Sequence, residues 1–124
     1  MRLSAPWTDA EVVPERTTAL DLFERTGNRT GQAYCWDSLA HAYRGLDRHA
    51  EAIGCFQRAL GLFRALGDHY NQATALTGLG DGHAARGDRA EARACHRQAL
   101  DILRELGHPE ADDLQRRLTQ AAPA

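Results

Sequence analysis

Apolar residues recur along this chain at steps of three and four positions, the spacing that aligns side chains on one face of an α-helix. Between Gly31 and Gly45 that face consists of Ala33, Trp36, Leu39, Ala40 and Tyr43. A second stripe follows over residues 48–66, and a similar one over residues 89–106. Because no segment alternates with the two-residue period of a β-strand, the pattern predicts an all-α protein.

The pattern repeats itself after forty residues. The positions that are identical in both copies are, in the first copy, Gly27, Gln32, Ala33, Leu39, Ala50, Glu51, Ala52, Cys55, Ala59, Leu60, Arg64 and Leu66. A period between about 20 and 50 residues indicates that one small helical unit stacks on copies of itself, and such stacks mostly bind other chains.

Turn and capping residues divide the chain into units that each hold a first helix, A, and a longer second helix, B. The predicted units are a partial repeat at 14–27 and full repeats at 28–67 and 68–107. Gly67 and Gly107 suit the left-handed conformation that ends a B helix. Asp88 with Glu91 resembles a capping box, which begins the second B helix.

The two ends of the chain depart from the repeat. Pro14 would remove a hydrogen bond inside a helix, so the regular helix is expected to begin near Pro14 or Glu15. Residues 1–13 are then a looser segment, apart from a short turn capped by Thr8 and Glu11. Residues 108–124 are predicted to form a capping helix, from Glu110 to about Gln120, and a tail. The inward positions of this helix are Ala111, Leu114 and Leu118.

Composition narrows the range of functions. All fifteen basic residues are arginine, so the chain lacks the lysine that a phosphate loop or a Schiff-base enzyme requires. The formal charge of -2 argues against direct binding of nucleic acid. No stretch approaches the roughly 20 apolar residues of a membrane span. Three cysteines, an odd number, suit a reducing compartment, so we expect one cytoplasmic domain with no membrane contact.

The repeated residues resemble the tetratricopeptide repeat. The first unit supplies that family's aromatic, leucine, small and tyrosine positions, and then its alanine, aromatic and alanine positions, as Trp36, Leu39, Ala40, Tyr43, Ala52, Phe56 and Ala59. The second unit holds at the same places Leu76, Leu79, Gly80, His83, Ala92, His96 and Ala99. The resemblance implies an all-α solenoid of antiparallel helix pairs. The repeats of this chain are longer than the usual length of about 34 residues. In this they resemble the longer repeats in sensor regions of actinobacterial transcriptional regulators and in other bacterial signalling proteins.

By resemblance, the chain is a scaffold that binds a protein or peptide on the concave wall formed by its A helices, with no catalysis, cofactor or metal. The residues expected on this wall are Tyr34, Asp37, Ser38, His41, Arg44, Thr74, Thr77, Gly78 and Asp81. A second expected interaction is self-association through apolar ends of the stack. The residues expected at those ends are Trp7, Leu20, Phe23, Leu114 and Leu118.

Two other functions stay open. The chain is either the sensor portion of a larger transcriptional regulator, or an enzyme or a small-molecule or metal site built from Asp37, His41 and Asp81. The second is less favoured, because side chains that radiate from a helix face rarely converge on one reacting atom.

Two motifs in the second unit invite sharper hypotheses. The sequence GLGDG at 78–82 imitates a dinucleotide-binding loop, but no strand precedes it, so we interpret it as part of an A helix weakened by its glycines. His83 and His96 stand where the first unit has Tyr43 and Phe56. If both histidines are partly buried, their protonation at about pH 6 is expected to loosen the contact between the second unit and the capping helix.

Overall fold

The computed structural model describes residues 7–121, which form six α-helices joined by short turns. The helices are α1 Asp9–Thr26, α2 Arg29–Gly45, α3 His49–Leu66, α4 His69–Ala85, α5 Arg89–Glu105 and α6 Glu110–Ala121. No strand occurs in this range, which confirms the predicted all-α class. Among these helices, none combines the length and the apolarity that a membrane crossing requires.

Short polar side chains cap the N-termini of several helices at the predicted turns. Asp88 accepts a hydrogen bond from the backbone N–H of Glu91, as the capping box predicts, at 3.4 Å. Asn28 and Asp68 cap α2 and α4 in the same way, since each side chain accepts a hydrogen bond from a backbone N–H of the first turn. Gly67 and Gly107 have φ angles of 69° and 64°, which confirms their left-handed conformation after the B helices. These caps satisfy backbone groups that a helix end leaves without partners.

The first helix begins earlier than the sequence pattern indicates. Thr8 caps α1, and its hydroxyl oxygen accepts from the N–H of Glu11 at 3.3 Å, so the helix begins at Asp9 rather than near Pro14. The prediction of a looser segment was therefore wrong for residues 9–13, while residues 1–6 lie outside the described part of the chain. Pro14 is tolerated because it lies on an exposed side of the helix, where water can solvate the carbonyl that loses its partner.

Each helix packs mainly on its neighbours along the chain, the arrangement of a solenoid. The rings of Phe56 and Phe63 on α3 are fully buried at the centre of the stack. Alanines with almost no exposure lie at the helix crossings and allow the backbones to approach closely. Examples are Ala33, Ala40, Ala59, Ala73 and Ala99.

The ends of the stack differ from the sequence prediction. Leu114 and Leu118 are buried, and the exposed positions of α6 over residues 110–120 are polar, so this part of the helix presents no apolar surface; Leu106, in the turn before it, is 46% exposed. Leu20 is buried as well. The exposed apolar groups at the N-terminal end are Trp7, at 53%, and Leu22, at 60%. The capping role predicted for α6 explains the difference, because a helix that ends a stack turns its apolar side inward.

Candidate binding face on the A helices

Two lines of polar side chains connect α2 and α4, the A helices of the two full units, with α6, which follows the second B helix and so holds the next A-helix position in the stack. We call the surface that carries them the A-helix face, and its residues are Tyr34, Arg44, Tyr70, Asn71, Thr74, Thr77, Asp81, Glu110 and Arg117. Five of these nine were predicted from the sequence, namely Tyr34, Arg44, Thr74, Thr77 and Asp81.

The first line lies near the start of each A helix. The phenol oxygen of Tyr34 on α2 accepts a hydrogen bond from the side-chain amide of Asn71 on α4, at 3.1 Å. Tyr70 on α4 donates to the carboxylate of Glu110 on α6, at 2.8 Å. Tyr34 also meets the Phe63 ring edge-on, with centroids 5.5 Å apart, while 48% of the residue stays exposed. One side of Tyr34 is therefore fixed, and the other is open to a partner.

The second line is centred on Asp81 of α4. One carboxylate oxygen lies 3.5 Å from Nη1 of Arg44 on α2, and the other accepts from Arg117 on α6. His96 of α5 brings its Nε2 to 3.0 Å from the same carboxylate. An ionised carboxylate only accepts hydrogen bonds, so Nε2 of His96 is the donor. Asp81 thus joins four helices.

The partners of Asp81 control its charge. Burial on its own raises the pKa of this carboxyl group, but hydrogen bonds from His96 and Arg117, with their charges, outweigh burial and hold the pKa below its ordinary value. Asp81 is therefore ionised at neutral pH. The hypothesis that protonation of His83 and His96 loosens the capping helix stays a prediction.

Asp37, Ser38 and His41 lie in a different place from Asp81. They line a shallow groove of about 260 Å³ with Asp9 and Arg16 of α1. His41 Nε2 is 3.6 Å from Asp37 Oδ1, and its ring meets Phe56 edge-on. Asp37, His41 and Asp81 do not come within the distances needed to share a metal ion. The predicted metal site at these three residues therefore lacks the required geometry.

The predicted residues of α4 divide between the surface and the interior. The hydroxyl groups of Thr74 and Thr77 donate to the backbone carbonyls of Asn71 and Ala73 within the same helix. Gly78 is buried, and a Cβ built on it would fall 2.5 Å from the Phe56 ring. The expectation that Gly78 lines the binding wall was therefore wrong, because the position is needed for helix packing. The GLGDG segment lies inside α4, as interpreted from the sequence.

A groove rich in arginine adjoins Asp81. Its volume is about 550 Å³, and it is lined by Asp81, Ala84, Arg89, Ala90, Ala92, Arg93, His96, Arg117 and Leu118. Nη1 of Arg93 is buried and has no hydrogen-bond partner among the described residues. The groove therefore offers more cationic than anionic groups to whatever enters it.

Sequence reasoning missed Asn71, Tyr70, Glu110 and Arg117. A spacing rule could have found three of the contacts: Tyr34 to Asn71, Arg44 to Asp81 and Asp81 to Arg117 are separated by 37, 37 and 36 positions. Each separation equals the forty-residue repeat minus about one helical turn of 3.6 residues. A complementary polar pair at this spacing therefore marks residues that bridge successive A helices.

Comparison with known families agrees with this architecture. Residues 30–105, more than half of the chain, match a family model described as Tetratricopeptide repeat. The chain belongs to the tetratricopeptide repeat family. Such repeats are generally protein-interaction modules, typically scaffolds without catalytic activity. No curated protein matches the chain when the sequences are compared directly.

Proposed function

We propose that this chain is an interaction module that binds a protein or peptide segment on the A-helix face and performs no catalysis. The observation that supports this most is the pair of side-chain lines that joins α2, α4 and α6. These contacts hold three helices in one arrangement before any partner arrives. A surface that is already ordered loses less conformational entropy on binding, which favours affinity.

The arginines of the adjoining groove favour an acidic partner segment. On the face itself Arg44 and Arg117 contact Asp81, and Glu110 accepts from Tyr70, while Arg89 and Arg93 line the groove beside it. Tyr34 adds a half-exposed aromatic ring, a residue type that often supplies much of the binding energy at interfaces. An extended segment with carboxylates and one apolar anchor therefore fits this surface better than a basic segment does.

The test is selection of peptides from a random library, followed by measured affinities. The variant Tyr34→Ala with Arg44→Ala should bind the selected peptides about tenfold or more weakly. The matched control, Gln57→Ala with Gln98→Ala, changes exposed positions on the B helices α3 and α5 and should bind like the wild type. Equal affinity for both double variants would remove the A-helix face as the site.

A second pair of substitutions separates lost contacts from lost folding. Tyr34→Phe with Arg44→Lys keeps the ring against Phe63 and the positive charge near Asp81. We expect this variant to retain most of the binding and a thermal midpoint close to the wild type. Enrichment of Asp and Glu in the selected peptides is the further expected result, and enrichment of Lys and Arg would contradict an acidic partner.

The forty-residue period favours a second candidate, the sensor region of a longer bacterial transcriptional regulator. The test is the parent open reading frame and its genomic neighbours. A DNA-binding domain encoded in the same frame would support this role, and its absence would oppose it. A cytoplasmic location belongs to the same proposal, supported by three cysteines that are all free and buried.

Self-association is a further proposal, now limited to the N-terminal end. Leu22 and Trp7 are the exposed apolar groups there. Sedimentation of the wild type and of Leu22→Glu tests it: a concentration-dependent dimer that the substitution abolishes supports contact through α1, and a monomer in both samples contradicts it.

A further inference from the structure

Three metal-ligating side chains meet at the turn between α4 and α5. His83 lies in the last turn of α4, and Glu91 and Cys95 lie one turn apart on α5. One donor atom from each of the three falls within 4.8 Å of the other two. The turn is held at both ends, since Asp88 N–H donates to the carbonyl of His83 at 2.9 Å and the Asp88 side chain accepts from Glu91. The backbone therefore places the three residues together.

The first unit has the same backbone arrangement, but there an arginine side chain occupies the corresponding place. Its counterparts are Tyr43, Glu51 and Cys55. There Arg48 donates from Nε to Glu51 at 2.7 Å, and its guanidinium carbon lies 4.9 Å from the Tyr43 ring. A positive charge from the chain thus occupies the space beside the glutamate and the aromatic ring.

Two substitutions in the second unit remove that cation and add ligands. The position of Arg48 is taken by Asp88, and the position of Tyr43 is taken by His83. Within residues 7–121, Glu91 forms no ion pair with an arginine or histidine. The second unit therefore combines an imidazole, a carboxylate and a thiol without the arginine that pairs with the matching glutamate of the first unit.

We propose that His83, Glu91 and Cys95 bind one Zn²⁺ ion, with water completing a tetrahedral site. Nitrogen, oxygen and thiolate sulfur are the donors that zinc takes in proteins, with bond lengths of about 2.0–2.3 Å. A tetrahedral ion needs donor atoms about 3.3–3.8 Å apart, so the donors have to approach by no more than about 1.5 Å, which rotation of the exposed Glu91 side chain can supply. The site joins α4 to α5, so an ion there stabilises the hairpin of the second unit.

Binding has a defined proton balance. Burial raises the pKa of Cys95, and the nearby Glu91 carboxylate raises it further, so the thiol of the metal-free protein keeps its proton. Zn²⁺ replaces that proton, the S–H bond gives way to a Zn–S bond, and one proton passes to solvent. No oxidant or reductant takes part.

The experiment uses the untagged chain, stripped of metal with a chelator, and titrates it with Co²⁺ and with Zn²⁺. Co²⁺ should give the near-ultraviolet thiolate charge-transfer band and the visible bands of a tetrahedral ion, at one ion per chain. Zn²⁺ should displace Co²⁺ and raise the thermal midpoint. Cys95→Ala should abolish the thiolate band, and Cys55→Ala, which removes the matching thiol of the first unit, should leave it unchanged.

The decisive variant is His83→Tyr, which restores the residue that the first unit already carries. Loss of a single outer-sphere partner weakens metal sites by about 10–100-fold, so loss of this direct ligand should weaken binding by roughly 100-fold or more while the helices stay folded. Equal affinity in His83→Tyr and the wild type would overturn the proposal. So would a thiolate band that disappears with Cys55→Ala, or no binding of either ion.

Discussion

The Phe56 ring of α3 lies against the backbone of Gly78 in α4, so close that a Cβ on Gly78 would fall 2.5 Å from Phe56 Cζ. Phe56 is fully buried, in the closely packed interior of the stack. We therefore expect Gly78→Ala to destabilise the protein by about 1–3 kcal/mol through overpacking, although alanine favours helix more than glycine does. Chemical denaturation of both proteins measures the difference.

Gly61→Ala is the matched control. Gly61 lies in the middle of the neighbouring helix α3, and a Cβ there meets no atom within 4 Å. The same substitution should therefore stabilise the fold, by up to about 1 kcal/mol. If both variants move the free energy of unfolding in the same direction, Gly78 is not needed for close packing.

The two A–B turns differ at one residue with a positive φ. Asp47 has φ 58° in the first unit, and Gly87 has φ 81° at the same place in the second. Left-handed backbone strains a side chain that has a Cβ but not glycine, so Asp47→Gly should stabilise by up to about 1 kcal/mol and Gly87→Asp should destabilise by a similar amount. Thermal unfolding of the two single variants checks both signs, and a stabilised Gly87→Asp would contradict the strain.

Asp81→Asn removes the charge at the junction of α2, α4, α5 and α6. Arg44 and Arg117 then lose their ionic partner, which should cost about 1–2 kcal/mol at neutral pH, since hydrogen bonds to charged groups exceed neutral ones but this site is partly exposed. Amide hydrogen exchange should quicken most in α6. Unchanged exchange there would show that Arg117 does not secure the capping helix.

The stability that the charge of Asp81 contributes should decrease as pH falls. The pKa of Asp81 is lower in the folded protein than its ordinary value, so its contribution is fully present above about pH 4 and is lost as pH falls through the folded-state pKa. The stability difference between wild type and Asp81→Asn should therefore shrink below about pH 4. A difference that stays constant down to pH 2 would mean that Asp81 is not held ionised by its partners.

At alkaline pH, the buried thiol of Cys55 should make the free energy of unfolding fall as pH rises. Burial raises the pKa of its thiol from 9.0 to about 11. A raised pKa contributes stability that is present below the unfolded-state value and lost as pH rises through the folded-state value. Relative to Cys55→Ala, the wild type should lose stability between about pH 9 and pH 11. Parallel unfolding curves for the two proteins across that range would refute the burial of this thiol.

Local patterns in the sequence predict the helices well but not the contacts between units. The face of α2 follows from the spacing of Trp36, Leu39 and Tyr43, because helix geometry is periodic. The start of α1 was misplaced because the Thr8 cap and the exposure of Pro14 together outweigh the usual penalty of proline. Gly78 was assigned to the surface because helical position alone does not show which neighbour approaches it.

The candidate site shows the same limit. Arg44 and Asp81 were both predicted, yet their pairing depends on how two A helices are offset along the stack. Arg117 was missed because it belongs to α6, whose residues are not copies of the earlier units. The spacing of 36–37 positions that marks such pairs is recognised only once the offset between successive A helices is known.

Binding of a partner on the A-helix face can be located residue by residue in solution. The most direct measurement is a ¹⁵N NMR titration of the wild-type chain with the tightest selected peptide. The largest amide shift changes should fall on α2, α4 and α6, around Tyr34, Arg44, Thr77, Asp81 and Arg117. Shift changes concentrated on the exposed sides of α3 and α5, or on α1 alone, would contradict binding on the A-helix face.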